Sequence, residues 1–135
     1  MARILALDVG GKRTGIAVTD PLQIICTALD TVQTVNLMDY LTDYIAKEDV
    51  ESIVVGYPEN NNLPTDSSPI IAKVIKQINK KFPDMPLHTV DESFTSKNAR
   101  KILVESGYKK KDRQKKENTD KISAVLILKT FLNEI

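Results

Sequence analysis

A chain of 135 residues with 41% hydrophobic and 27% charged side chains is long enough for one domain with a real core, and this composition excludes a disordered polymer. The formal net charge of +1 gives no overall polyanion-binding character. No apolar run is long enough to cross a bilayer and no signal-peptide pattern opens the chain, so a cytoplasmic protein with no membrane partner is expected. The one cysteine, Cys26, excludes an internal disulfide and is expected as a small buried thiol.

Arg3 to Val9 reads as a buried strand that carries one carboxylate, Asp8, to its end, where Gly10 and Gly11 stop it. Gly15 to Thr19 is short, apolar and β-branched, and pairs back across Lys12 and Arg13 as a hairpin until Asp20-Pro21 breaks it. Gln23 to Val32 is expected as a third strand. From Thr34 to Glu48 the spacing turns helical, with Val35, Met38, Leu41, Tyr44 and Ile45 on one face. Glu51 to Gly56 is a dense apolar strand of the kind buried on both faces, and the polar run Glu59 to Asp66 is a loop.

Ser68 caps and Pro69 opens the next helix, whose stripe is Ile70, Ile71, Val74, Ile75 and Ile78. Leu87 to Asp91 is a fifth strand ending in the adjacent acids Asp91 and Glu92. Thr95 or Ser96 caps a helix running to about Ser106, stopped by Gly107. A basic loop follows, and Thr119 caps a last helix from Asp120 to near the C-terminus, apolar on most sides and so expected to be buried. The order βββ-α-β-α-β-α-α predicts a single α/β domain over residues 1–135. Short turns make the first three strands antiparallel and helical links let the others run parallel, giving a mixed five-stranded sheet with helices packed on it.

Ligand sites in such sheets form at the carboxyl ends of parallel strands. Asp8, Asp91 with Glu92, and Asp120 in the first turn of the last helix are expected to gather at that edge. Clustered carboxylates raise one another's pKa unless a cation joins them, and oxygen donors suit Mg²⁺ or Mn²⁺. One histidine and one cysteine do not suffice for a His/Cys zinc site. Such a metal centre suits phosphodiester hydrolysis. Charge is uneven along the chain: residues 1–86 hold 8 basic and 11 acidic side chains, and the remainder 11 basic and 7 acidic. Lys109, Lys110, Lys111, Arg113, Lys115 and Lys116, with Lys12 and Arg13 beside Asp8, are the candidate contacts to a nucleic-acid backbone. Taken singly, a strand-end Asp is commonly a turn residue, a helix-first-turn acid answers the helix dipole, and His88 reads as a strand residue rather than a general base.

Four blocks together carry a resemblance. They are Leu7-Asp8-Val9-Gly10-Gly11-Lys12-Arg13-Thr14-Gly15-Ile16-Ala17-Val18, Ile53-Val54-Val55-Gly56-Tyr57-Pro58, Val90-Asp91-Glu92-Ser93-Phe94-Thr95-Ser96 and Asp120-Lys121-Ile122-Ser123-Ala124-Val125-Leu126-Ile127-Leu128. In this order, over nearly the whole chain, they resemble the YqgF/RuvX family, described as pre-16S rRNA nucleases and earlier as Holliday junction resolvases, with an RNase H-like fold. The resemblance implies a metal-binding triad of Asp8, Asp120 and one acid of the Asp91-Glu92 pair. Ser93 stands where the family usually has arginine, and the loop after Pro58 lacks a glycine often found there.

The leading expectation is a metal-dependent endonuclease that trims the 5′ end of precursor small-subunit ribosomal RNA. A Holliday junction resolvase is the second, and would need a homodimer to make two symmetric cuts. A non-catalytic nucleic-acid-binding factor would survive loss of Asp8 and Asp120. An ATPase built on the glycine-rich turn would need a second domain that this length does not hold.

Overall fold

The computed structural model describes residues 2–57, 68–91 and 116–134. The elements are β1 (Arg3–Val9), β2 (Arg13–Thr19), β3 (Cys26–Gln33), a 3₁₀ turn (Thr34–Asn36), α1 (Leu37–Lys47), β4 (Val50–Tyr57), α2 (Ser68–Lys81), β5 (Leu87–Asp91) and α3 (Lys116–Glu134). The sheet has the order β3-β2-β1-β4-β5. β2 pairs antiparallel with both β1 and β3, whereas β4 pairs parallel with β1 and β5. Hairpin turns can only reverse the chain, and the helical crossovers through α1 and α2 return it in the same direction.

Side-chain alternation divides the core between the two faces of the sheet. Leu5, Leu7, Val9, Ile53 and Val55 pack with Leu37 and Leu41 of α1 and with Ile71, Val74 and Ile78 of α2. Ile4, Ala6, Ala17, Val54 and Val90 pack instead with Ala124, Val125, Ile127 and Leu128 of α3. The small residues Ala6, Ala17 and Ala124 let α3 lie close to the sheet. Burial on both sides explains why Ile4 to Leu7 reads as an unbroken apolar run. Each fully buried Leu or Ile stabilises the fold by roughly 1.5–3 kcal/mol.

Three expectations need correction. The third strand begins at Cys26 rather than Gln23. The Asp20 carboxylate accepts the backbone N–H of Ile24 and of Ile25, each at 2.8 Å, and Gln23 adopts φ 60°, so this apolar stretch is a turn. Val35 does not join the buried stripe of the first helix. The 3₁₀ turn rotates it outward to 86% exposure, and Leu37 takes the core position. The last helix starts at Lys116, which puts Thr119 inside it rather than at its cap. Cys26 is half-buried at the start of the edge strand, where desolvation pushes its thiol pKa up. The expected loop over residues 59–66 and the expected helix from Thr95 to Ser106 lie outside the described residues.

Candidate active site at the carboxyl edge of the parallel strands

Asp8 is half-buried near the carboxyl end of β1. Alternation from Ile4 and Ala6 puts it on the face covered by α3. Its partner across the hairpin is Gly15. On the other side Leu7 pairs with Val55, so Gly56 continues the row beside Asp8 and in turn pairs with Val90 of β5. Asp8 thus stands between two residues that have no Cβ. Any other residue at 15 or 56 would add a side chain to the same face beside the carboxylate.

The turn that follows is held by an arrangement the sequence did not reveal. Gly10 donates its N–H to the Arg13 carbonyl at 2.9 Å. A Cβ on Gly10 would lie 2.7 Å from that same oxygen, so the position requires glycine. The Thr34 hydroxyl donates to the Gly10 carbonyl at 2.6 Å, and the Thr34 N–H donates to the Lys12 carbonyl at 2.8 Å. Since the Thr34 proton is committed to Gly10, the buried Thr14 hydroxyl donates to Thr34 Oγ1 at 2.9 Å. The turn therefore presents Lys12 exposed and Arg13 half-buried on a fixed backbone. Gly11 lies against Ile70 near the start of α2, with its would-be Cβ 3.4 Å from Ile70 Cδ1.

Topology brings two further candidate positions to this edge. Asp91 is the last residue of β5 and pairs with Tyr57, the last of β4. The C-terminal half of α3 lies toward the opposite edge: Lys129 is close enough to Cys26 to act on its charge, and the Phe131 ring sits 5.0 Å from that of His88. The N-terminal half of α3, with Asp120, therefore points toward the Asp8 end, roughly 13 Å along the axis from Lys129 at 1.5 Å per residue. Asp120 lies a full turn inside α3 rather than in its first turn, so the helix dipole contributes less there than expected. Alternation along β5 places His88 and Val90 on the α3 face, with Leu87 on the other. Glu92 and the basic residues Lys109, Lys110, Lys111, Arg113 and Lys115 lie outside the described residues, while Lys116 opens α3.

Among the described residues no three His, Cys, Asp or Glu side chains gather at one point. His88 is exposed on the edge strand, where its ring lies against that of Phe131. A cavity lined by Val50, Phe82, Pro83, Met85 and Pro86 opens at the opposite end of the parallel strands, remote from Asp8. No helix among the described residues is long and apolar enough to cross a membrane.

A family model described as "RuvX: Holliday junction resolvase" matches residues 2–134. A "Putative pre-16S rRNA nuclease" of Christiangramia forsetii is 50% identical over 135 residues, covering 99% of this chain and 100% of its own. One of the same description from Phocaeicola vulgatus is 49% identical over 133 residues, covering 98% of this chain and 96% of its own. Among solved structures, T. thermophilus RuvC in complex with Holliday junction substrate superposes with a TM-score of 0.57 at 11% identity, over 99% of this chain and 96% of that one. The fowlpox virus Holliday junction resolvase gives 0.57 at 12% identity, over 98% of this chain and 99% of that one. At such identities these two likenesses speak for the fold, which is RNase H-like. The sheet order, the strand-end aspartate and the extent of these matches lead to one conclusion: the chain belongs to the RuvX family.

Proposed function

We propose that this protein is a divalent-metal-dependent endonuclease that acts in the cytoplasm on structured RNA and trims the 5′ end of the small-subunit ribosomal RNA precursor. The observation that carries the reading is Asp8, half-buried between Gly15 and Gly56 at the edge where β5 ends and toward which the first half of α3 points. The relatives' description supplies the RNA substrate.

The donor set fits a hard cation. Asp8, Asp120 and one acid of the Asp91-Glu92 pair offer only oxygen, and the one histidine is packed against Phe131. Of the adjacent acids, Glu92 has the sequence parity of His88 and Val90, the residues of β5 on the Asp8 face, and is the preferred third ligand. Bound there, Mg²⁺ or Mn²⁺ would supply Lewis-acid stabilisation and a more acidic water.

The remaining work falls to the chain itself. Gly15 and Gly56 place no side chain beside the carboxylate, and partial burial of Asp8 strengthens the field it exerts. Lys12 and Arg13, carried on the clamped turn, neutralise the phosphate backbone, and the basic cluster from Lys109 to Lys116 extends that attraction. Water attacking in line leaves a 3′-hydroxyl and a 5′-phosphate. The test is cleavage of precursor small-subunit rRNA and of a four-way DNA junction at matched Mg²⁺. Specific 5′-end cleavage of the RNA supports the proposal. Symmetric cutting of the junction alone would replace it with a resolvase, which requires two copies of the chain.

A further inference from the structure

Helix α2 carries a charge pattern that the site described above does not use. Its sequence, Ser68 to Lys81, contains Lys73, Lys76, Lys80 and Lys81 and no acidic residue. These are half of the 8 basic residues in the first 86 positions of a chain whose remaining charge there is mostly acidic. All four are exposed, and no carboxylate among the described residues pairs with them, the ion pair found being Arg3 with Glu48. At 100° per residue Lys73, Lys76 and Lys80 fall within about 60° of one another and span roughly 10 Å of helix axis. They form a ridge directly opposite the buried stripe of Ile71, Val74 and Ile78.

The helix dipole accounts for Lys80 and Lys81 in the last turn but not for Lys73 and Lys76, which sit in the body of the helix. Helix α1, on the same side of the sheet, provides the contrast. It presents Asp39 and Asp43 and is followed by Glu48 and Asp49, so the layer has one acidic and one basic half. The basic half is also the one joined to the catalytic edge. The start of α2 touches the glycine turn through Ile70 and Gly11, next to exposed Lys12. From there the ridge runs back along the sheet toward its opposite end.

We infer that the Lys73–Lys76–Lys80 ridge of α2 is a secondary phosphate-backbone track, which binds the RNA strand beyond the Lys12 turn as it leaves the cleavage site. The inference rests on the proposed nuclease reading and adds a direction of substrate approach: over α2 and away from acidic α1. Evenly spaced lysines read charge and not bases, so the contribution is independent of sequence.

The experiment measures RNA binding by fluorescence anisotropy in EDTA, so that no cleavage intervenes, across a salt series. The probes are an RNA hairpin with a long single-stranded extension and the same hairpin trimmed. The proteins are wild type, a Lys73→Gln/Lys76→Gln/Lys80→Gln variant and the matching triple arginine variant, each checked for an unchanged thermal unfolding midpoint. The inference expects the glutamine variant to bind the extended RNA about tenfold or more weakly. Its salt slope should fall by about 2, since each lost phosphate contact removes about 0.7–0.9. The trimmed hairpin should be affected less, and the arginine variant should keep the wild-type slope. A glutamine variant with the wild-type slope on extended RNA would overturn the ridge while leaving the nuclease reading standing. So would loss of binding to anionic lipid vesicles with RNA binding intact. A wild-type protein that binds no RNA would overturn both.

Discussion

The Thr34 hydroxyl donates to the Gly10 carbonyl at 2.6 Å, tying the start of the 3₁₀ turn to the bend that follows Asp8. The same residue donates its backbone N–H to Lys12 and receives the proton of buried Thr14. Thr34→Val keeps the shape and removes the oxygen, leaving the Thr14 hydroxyl buried without its acceptor. Loss of about 1–3 kcal/mol in denaturant unfolding is expected. Thr14→Val in the Thr34→Val background should cost much less than in wild type, because the two hydroxyls act as one unit.

The two adjacent glycines of the turn are not equivalent. Gly10→Ala drives a Cβ to 2.7 Å from the Arg13 carbonyl, a backbone atom already engaged by the Gly10 N–H. The turn must shift, and with it Lys12 and Arg13. Gly11→Ala meets only the tip of Ile70 at 3.4 Å, which a side-chain rotation relieves. Thermal unfolding should show Gly10→Ala destabilised by about 1–3 kcal/mol and Gly11→Ala within about 1 kcal/mol of wild type.

Legibility followed the range of the interactions. β1 is expected at its observed bounds because an apolar run buried between other elements announces itself in sequence, and β5, an edge strand, because Pro86 before it and the acids at its end delimit it. The break at Asp20-Pro21 is legible, but Gln23 to Ile25, expected as the start of the third strand, belong to the turn. Its apolar residues are exposed and its shape comes from a carboxylate accepting two backbone N–H groups, which leaves no periodicity. Val35 was misplaced because a single 3₁₀ turn shifts phase before α1 begins. At the site, Asp8 stood out as a carboxylate in an apolar run. Gly15 flanks it through the hairpin the sequence predicts, whereas Gly56 and the Thr34 clamp depend on pairings between residues far apart in the chain.

Tyr40 gives a pH signature. Burial, with the charge of Asp30 and then Tyr44 adding to it, pushes its phenol from the ordinary 10.0 up to about 12. Its ring stacks on Tyr44 at 6.3 Å and 8°. The unfolded phenol loses its proton near 10, while the folded one holds it to about 12. Between those values the folded state binds more protons, so stability is full below pH 10 and falls as pH rises through the window. Tyr40→Phe should keep the stack, remove the latest step from the alkaline absorbance titration and flatten that decline.

The adjacent acids Asp91 and Glu92 should separate under mutation. On the proposal that Glu92, which shares the sequence parity of Val90, is the third ligand, Glu92→Gln is expected to abolish metal-dependent cleavage, whereas Asp91→Asn should retain a larger share of it. Isothermal titration of Mn²⁺ into each variant checks the assignment without relying on turnover. Weaker binding by Asp91→Asn than by Glu92→Gln would reverse it.

The most direct measurement is 5′-end cleavage of precursor small-subunit rRNA by wild type and by Asp8→Asn, each with Mg²⁺, with Mn²⁺ and with EDTA. The account predicts cleavage by wild type only when a divalent cation is present. It also predicts that Asp8→Asn loses more than the roughly 10–100-fold typical of changes outside the inner ligand sphere, while its unfolding midpoint stays near wild type. Cleavage that persists in EDTA, or an Asp8→Asn protein that cuts as well as wild type, would contradict it.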